Sequence, residues 1–596
     1  MDSPKPPAPV QSRLHFVNRT ASLTARLFST DTRSLSLFRV GLALLLLADL
    51  ITRAPLLTAF YTDSGVMPRA FVTDHLQDVW SFSLHLASGQ VYFQAFLFVC
   101  AGVAALLLLV GYRTRLMTLL SWALLASLHV RNPEVLSAGD ILLRVLLFWG
   151  LFLPLGLHWS VDRARATNEQ DVPERVLSAA TAAVLLQAAS VYLFTWLLKT
   201  GGPWRDGSAV RLALNWDQGT TPLGRLLLEL PPPLLALATH GVVGFELLGP
   251  LLLFAPVFTV PLRLVVLPLF ALMHLTFGVT MVLGTFSFVS AVSLAPFLPT
   301  TFWRAFRGGG AGVTVFYDGG CSFCAKAARL LRTFLLVPRA DLRPAQDDAA
   351  AWGRMTRENS WVVRDGTGDH TRAAALRALL RASPVSPLHR VLGGPFLRFA
   401  DAVYVRVADR RPTASRALRW FRPAPLRPRT PLAAQLAAAA LLAWVLVWNL
   451  SGVLHFTMPL PQPLRALQLQ QNWGMFAPYP RLDDGWYVAE GRLASGERVD
   501  VFRAVISGLG EGLSWDKPAS VPASMGNVYW TKYFENLLRS EDRGRYGNFA
   551  GYLCRSWNGL HPPARRLERF DLYFMLEHTE RLNKPPERIH LWWQTC

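Results

Sequence analysis

Nine apolar segments, most of them close to the roughly 20 residues that cross a bilayer as helix, constrain this chain more than any other feature. Eight precede residue 305, near 36–54, 91–111, 115–130, 139–158, 176–199, 233–256, 262–282 and 285–303. The ninth, LAAQLAAAALLAWVLVWNLSGV, lies near 432–454. Just over half of the 596 residues are hydrophobic and only 17% are charged, the balance of a multi-span membrane protein with soluble parts attached. The formal charge of +20 sits in loops and in one polar block, not in a dense basic tract, so it is read as topology and not as nucleic-acid binding. No small-residue cleavage site follows the first apolar run, which is expected to be a retained anchor.

Arginine orients the spans. The tail 1–34 carries Lys5, Arg13, Arg19, Arg26 and Arg33, the turn after span two Arg113 and Arg115, and the loop after span four Arg163, Arg165 and Arg175. RWFRPAPLRPRTP precedes span nine. All four fall on one side if the N-terminus is cytoplasmic. The expected protein is therefore a multi-pass cell-membrane protein with a cytoplasmic block at 311–425 and an extracytoplasmic domain over 456–596.

Within 191–204, VYLFTWLLKTGGPW, an apolar helix ends in Lys199. The chain has six lysines against 54 arginines, and Lys199 is the only lysine between residues 35 and 303. A lysine can lose its proton when buried and a guanidinium cannot, so Lys199 reads either as an interfacial anchor beside Trp204 or as a base. Topology adds company at a similar outer depth. His240 and, deeper, Glu246 lie on span six, and His274 is in the outer half of span seven. Asp140 and Arg144, one turn apart at the outer start of span four, can pair. Ionisable residues inside spans are costly and mark candidate sites, although a single His is equally satisfied by an interhelical hydrogen bond.

YLFTWLLKTGGPWRDGSAV resembles the segment around the catalytic lysine of vitamin K-dependent gamma-glutamyl carboxylase. The resemblance continues through LLLLVGYRTR (106–115), HWSVD (158–162), THGVVGFELLGPLLLF (239–254) and FALMHLTFGVTMVLGTFSFVSAVSLAPF (270–297). Together they cover the region 35–304 known as the horizontally transferred transmembrane (HTTM) domain. The resemblance implies that Lys199, unprotonated through burial, deprotonates reduced vitamin K or a menaquinone-like quinone. The oxygenated product then removes a γ-proton from a glutamate, and CO2 adds. His274 and His240 would polarise the site, with Glu246, Asp140, Arg144 and Trp204 around the cofactor. Where the eukaryotic carboxylases have a histidine before span four, this chain reads RNPEVLSAGD, with Glu134.

Residues 313–330, VTVFYDGGCSFCAKAARL, put a CxxC pair between a β-type run and a helix-compatible stretch. That setting suits a thioredoxin-like redox motif, with Cys321 as the nucleophile at a helix N-terminus and Cys324 resolving. A zinc site would need two more ligands, and none is suitably spaced nearby, so no metal is predicted. The block resembles the DCC family of thiol-disulfide oxidoreductases, marked by YDGxCxxC and here by the later DAVYVRVADRR (401–411). A cytoplasmic thiol reductant is the partner this implies. The dithiol would lie across about 30 Å of hydrocarbon from Lys199, so a mobile quinone or a separate substrate would have to link them.

After residue 470, WYVAEGRL and ERVDVFRA around Ala-Ser-Gly predict a β-hairpin, and TKYFENLLRSE predicts a helix. This domain could receive a polypeptide substrate or could simply cap the bundle. Cys554 and Cys596 could pair. The expected fold is thus a polytopic α-helical membrane protein with a thioredoxin-like α/β insert and a β-containing C-terminal domain. Two function classes fit: a bacterial-type quinone-linked enzyme fused to an oxidoreductase, or a non-catalytic maturation or export factor whose only activity is the CxxC domain. A cavity beside Lys199 discriminates them, since an anchor's amine faces lipid headgroups or water.

Overall fold

A computed structural model of the chain describes residues 22–76, 81–168, 172–304, 306, 312–384, 394–410, 413, 415–416, 418, 421–459, 461–578 and 584–596. Residues 1–21 of the predicted tail, and parts of the predicted 311–425 block, lie outside them. The chain is predominantly helical. Among the described residues six helices are long and apolar enough to cross a membrane: Thr32–Tyr61, Val91–Leu109, Ala179–Leu198, Pro232–Leu253, Thr259–Thr280 and Leu432–Leu454. The other three predicted segments are helical but shorter or more polar. Thr114–Arg131 carries Arg115, His129 and Arg131. Ala138–Gly150 stops before Pro154, and Phe286–Ser293 stops before Pro296 and Pro299.

Local chemistry sets the helix starts. The Asp31 carboxylate accepts from the Arg33 amide at 2.8 Å to open the first helix. Ser178 and Thr181 form a reciprocal capping box ahead of Ala179–Leu198. Proline at the first turn of Pro232–Leu253 costs nothing, because its missing N–H has no intrahelical partner there.

Polar contacts gather the loops at two opposite ends of the bundle. At one end Arg39, fully buried, donates to the carbonyls of Leu155, His158, Leu109 and Trp159. Asp162 accepts from the amides of Arg113 and Thr114, Arg263 donates to the Leu27 carbonyl at 2.6 Å, and Arg165 donates to the Arg422 carbonyl at 2.6 Å. At the other end Tyr529 bonds Thr52 at 2.9 Å, Arg545 pairs with Glu134 at 2.9 Å, and the Gly201 amide donates to the Pro478 carbonyl at 2.9 Å. The C-terminal domain therefore sits on the end opposite the arginine-bearing loops. Its hydrophobic core runs into Leu57, Phe60 and Tyr61 of the first helix.

The insert after residue 312 holds four short strands, Thr314–Tyr317, Asp341–Pro344, Val362–Asp365 and Gly368–Thr371. Numbered along the chain, they lie in the order 2-1-3-4; the first two are parallel and the remaining pairs antiparallel. Helices Ser322–Phe334 and Ala349–Glu358 connect the first three strands, and Arg372–Ala382 follows the fourth. In the C-terminal domain the predicted hairpin forms, pairing Glu490 with Asp500. Its second strand is only Arg498–Asp500, and the sheet grows on the other side through Leu567–His578 and Glu587–Thr595. Helix Val528–Arg539 packs its aromatic face into this domain's core. Cys554 and Cys596, left open by the sequence, form a disulfide.

Candidate functional site

The Ala179–Leu198 helix turns three residues of one face toward a common space. Tyr192, Thr195 and Lys199 are spaced by three and four residues, the interval that stacks side chains on one side of a helix. Lys199 is the residue that caps this helix, and its Nζ lies 2.6 Å from both carboxylate oxygens of Glu246 on Pro232–Leu253. The two side chains are 3% and 6% exposed, so the amine reaches neither headgroups nor bulk water. Trp204 closes over the ammonium with its ring centroid 4.1 Å from Nζ, and its own indole N–H donates to the Phe476 carbonyl at 3.0 Å.

Beside this pair lies a cavity of about 890 Å³. Glu246, Lys199, Trp204, Tyr192 and His274 all line it. His274 sits on Thr259–Thr280 and its Nε2 is 2.7 Å from the Tyr192 hydroxyl. Its Nδ1 has no hydrogen-bond partner among the described residues. The walls are largely aliphatic and aromatic, with Ile141, Met273, Phe277 and Phe286 among them. This volume is at the upper end for small-ligand sites, and a few polar groups on an apolar lining are what such sites present.

The site is completed by a segment from far along the chain, beyond the Leu432–Leu454 helix. Residues 472–481, NWGMFAPYPR, form one wall. They are pinned there by Thr195 donating to the Trp473 carbonyl at 3.0 Å and by Gly201 donating to Pro478. Gln471 anchors the segment from behind, accepting from Gln187 at 2.7 Å and from Trp473 at 2.9 Å. At the mouth the C-terminal domain contributes Arg481, Lys532 and Glu535, with Glu535 bonded to both cations. Tyr192 and Thr195 were detectable by their spacing from Lys199; nothing local in the sequence marks 472–481 as part of the same cavity.

Three predicted members stand elsewhere. His240 is exposed and does not line the cavity, because its position on Pro232–Leu253 is on the face away from Glu246. Asp140 and Arg144 do not bond each other. Asp140 accepts from Arg53 of the first helix, and its second oxygen takes the Ser137 amide and hydroxyl at 2.6 and 2.7 Å. Arg144 donates to the Gln468 carbonyl at 3.1 Å and to His129 Nδ1 at 2.9 Å. Both are buried and do not line the cavity; Arg144 holds the bundle to the 468–471 segment, and Asp140 ties its helix to the first one. Glu134 pairs with Arg545 outside the cavity.

At the arginine-bearing end, Cys321 caps the Ser322–Phe334 helix, and its Sγ accepts from the Cys324 amide at 3.4 Å. Both cysteines are half-buried and stand outside any disulfide. The turn before them is held by Gln346, which accepts from the Gly319 amide at 3.0 Å and donates to Asp318 at 2.9 Å. Leu330, on the same helix, packs with Tyr112, Val161 and Phe421 against the end of the bundle. No protein-family model, curated protein or solved structure matches this chain.

Proposed function

We propose that the chain is a polytopic membrane enzyme that uses Lys199 to deprotonate an acidic hydroxyl of a lipophilic, quinol-type substrate, similar to the vitamin K-dependent carboxylases, and that it carries a separate thiol-disulfide oxidoreductase domain. One observation carries the reading: a buried Lys199–Glu246 pair opens onto an apolar-walled cavity of about 890 Å³. An anchoring lysine would be wet at its tip. The size and lining fit an isoprenoid-ring compound, and a reduced quinone bound there supplies a weakly acidic ring hydroxyl and two-electron chemistry.

The chain's own residues then divide the work. When the proton the pair shares passes to Glu246, the Lys199 amine becomes neutral and can take the substrate proton. The resulting ammonium lies beside the anion it has made and stabilises it in a water-poor site. Trp204 keeps water from the amine and fixes its position. The Tyr192–His274 pair offers a second polar point on the cavity wall for the opposite end of a ring.

For topology we propose nine crossings, with the arginine-bearing end cytoplasmic. Of the three shorter helices, Thr114–Arg131 runs between the two ends, since Thr114 is tied to Asp162 at one and Glu134 to Arg545 at the other. The Cys321–Cys324 dithiol and the Cys554–Cys596 disulfide at opposite ends suit reducing and oxidising compartments. The 2-1-3-4 strand order of the insert is that of a thioredoxin-like domain with its dithiol at the first helix, which supports the DCC-type reading. A polypeptide entering from the C-terminal domain side is the substrate we propose for any carboxylation.

Purified protein in nanodiscs would be given reduced menaquinone and oxygen, with labelled bicarbonate in a parallel arm. Oxygen-dependent quinol consumption is expected in the wild type and in Cys321→Ser and is expected to vanish in Lys199→Met. No consumption of any quinol tested, or equal consumption by Lys199→Met, overturns the proposal. Label incorporation that follows the lysine identifies carboxylation as the outcome.

A further inference from the structure

The helix Gly394–Asp409, GPFLRFADAVYVRVAD, belongs to the insert, and only one of its faces is used there. On the inner face Tyr404 accepts from the Trp361 amide at 3.0 Å, and Asp401 accepts from the Ala373 amide at 2.8 Å. Leu397, Ala400 and Ala408 share that half-buried side. The outer face carries Phe399, Val403 and Val407 at successive four-residue steps, 65%, 40% and 39% exposed. A stripe at that spacing covers one side of two helical turns. Arg406 and Arg410, each seven residues after an apolar member, share this side of the helix and Arg398 lies at its edge, all exposed.

Exposed apolar residues flanked by arginines on a helix that is already docked by its other side describe an interfacial helix more closely than a solvated one. Two features of the chain name what lies opposite. The segment just downstream is fixed to the arginine-bearing end of the bundle by Arg165 to Arg422, by the Asn168–Leu426 pair of hydrogen bonds, and by Phe421 in the Tyr112–Val161 cluster. From there the chain enters the span Leu432–Leu454, so the helix is tethered within a short reach of the membrane plane. The charge is also complementary, since the cytoplasmic leaflet is anionic and each basic side chain near it contributes about 1 kcal/mol.

We infer that Gly394–Asp409 is a membrane-surface helix that lays Phe399, Val403 and Val407 into an anionic leaflet, with Arg398, Arg406 and Arg410 on the headgroups. The arrangement would add a membrane contact to the packing of Leu330 against Tyr112, Val161 and Phe421 that already holds the CxxC helix at the end of the bundle. The inference rests on the arginine-bearing end facing the anionic leaflet, not on the lysine chemistry, so it can fail or stand without affecting the quinol reading.

Spin labels would be placed singly by Phe399→Cys, Val403→Cys and Val407→Cys in full-length protein with Cys100, Cys321 and Cys324 changed to serine. Ala350→Cys, exposed on another helix of the same domain, is the reference. In nanodiscs containing phosphatidylglycerol, collisions with a water-soluble nickel chelate are expected to fall roughly five-fold relative to Ala350, while collisions with oxygen rise, the signature of acyl chains. Arg398→Glu with Arg406→Glu is expected to return the labels to the reference value. Labels as open to nickel as Ala350 overturn the inference. Shielding from nickel and oxygen together also overturns it, since that marks a protein partner or a second copy. Protection of equal size in pure phosphatidylcholine overturns the assignment to an anionic surface.

Discussion

Two buried ion clusters lie in the same bundle, and they differ in what surrounds them. Arg53 is 1% exposed, bonds both oxygens of Asp49 at 2.8 and 2.9 Å, reaches Asp140 and the Tyr61 hydroxyl, and stacks 4.4 Å from the Tyr529 ring. The guanidinium is fully enclosed by partners, and the cluster joins the first helix, the Ala138–Gly150 helix and the C-terminal domain. Lys199 has one carboxylate partner, one aromatic ring and a large cavity. Burial of charge is common to both; open space beside the charge, and a cation able to give up its proton, belong to one alone. Depth in the membrane is therefore a weak marker of chemistry, and an unfilled side of a buried ion pair is a stronger one.

Removing the two cations should separate these roles. Arg53→Leu leaves Asp49 and Asp140 buried against each other without a cation, a change that costs on the order of 3–5 kcal/mol. The expected result is loss of monodisperse protein in size-exclusion chromatography. Asp49→Asn with Asp140→Asn in the same background should recover part of it. At the other cluster, Lys199→Met with Glu246→Gln removes both charges together and should elute as wild type. Quinol turnover, however, should fall by about 10²–10⁴-fold, the range lost with a general base. Lys199→Arg keeps the positive charge and should be nearly as inactive, because a guanidinium does not release its proton. An active Lys199→Arg protein would reduce the lysine to a structural cation and erase the difference from Arg53.

Tyr192→Phe tests the polar point opposite the lysine. It removes the 2.7 Å hydrogen bond to His274 Nε2 while preserving the tilted ring contact with Phe270 at 4.3 Å. Turnover is expected to fall about ten-fold, corresponding to about 1.4 kcal/mol of lost transition-state stabilisation. The melting temperature should stay close to wild type. An equal loss in melting temperature would move the Tyr192–His274 pair into the structural class with Arg53.

The sequence made the long apolar helices legible because length and hydrophobicity are local properties. It overestimated the segments near 139–158 and 285–303, where Pro154, Pro296 and Pro299 end the helical turns early. Lys199, Glu246 and His274 could be nominated because charge inside an apolar run is itself conspicuous. His240 failed by helix rotation, which the flat hydrophobicity of Pro232–Leu253 does not reveal. The Asp140–Arg144 pairing failed because the i,i+4 rule admits a local partner and is silent about Arg53, which arrives from a helix 87 residues away. The wall at 472–481 could not be foreseen, since it meets Lys199 only after the chain has passed through the insert and a further span.

A third buried site extends the comparison to a carboxylate with no cation partner among the described residues. Asp484, on the strand Asp483–Leu493, is 3% exposed and takes backbone amides from Gly485, at 2.8 Å, and from Asp217. Burial pushes its carboxyl up to about 7, with the Asp217 charge adding to the rise and the amides opposing it. A folded value above the unfolded one means that the folded state holds the proton more tightly. Stability from this group is therefore complete below about pH 4 and is lost as pH rises through 7. Between pH 5 and 8 the loss should come to about 3 kcal/mol, at 1.36 kcal/mol per unit. Thermal unfolding followed by tryptophan fluorescence in nanodiscs should accordingly show the wild type less stable at pH 8 than at pH 5. Asp484→Asn keeps an acceptor for the Gly485 amide and should flatten that slope while lowering stability at pH 5 only slightly. Asp500, raised by burial to about 6, leaves a smaller residual slope in the variant. A slope unchanged by Asp484→Asn would mean that the amides alone hold the carboxylate charged, and that a buried acid in this protein needs no cation to stay ionised.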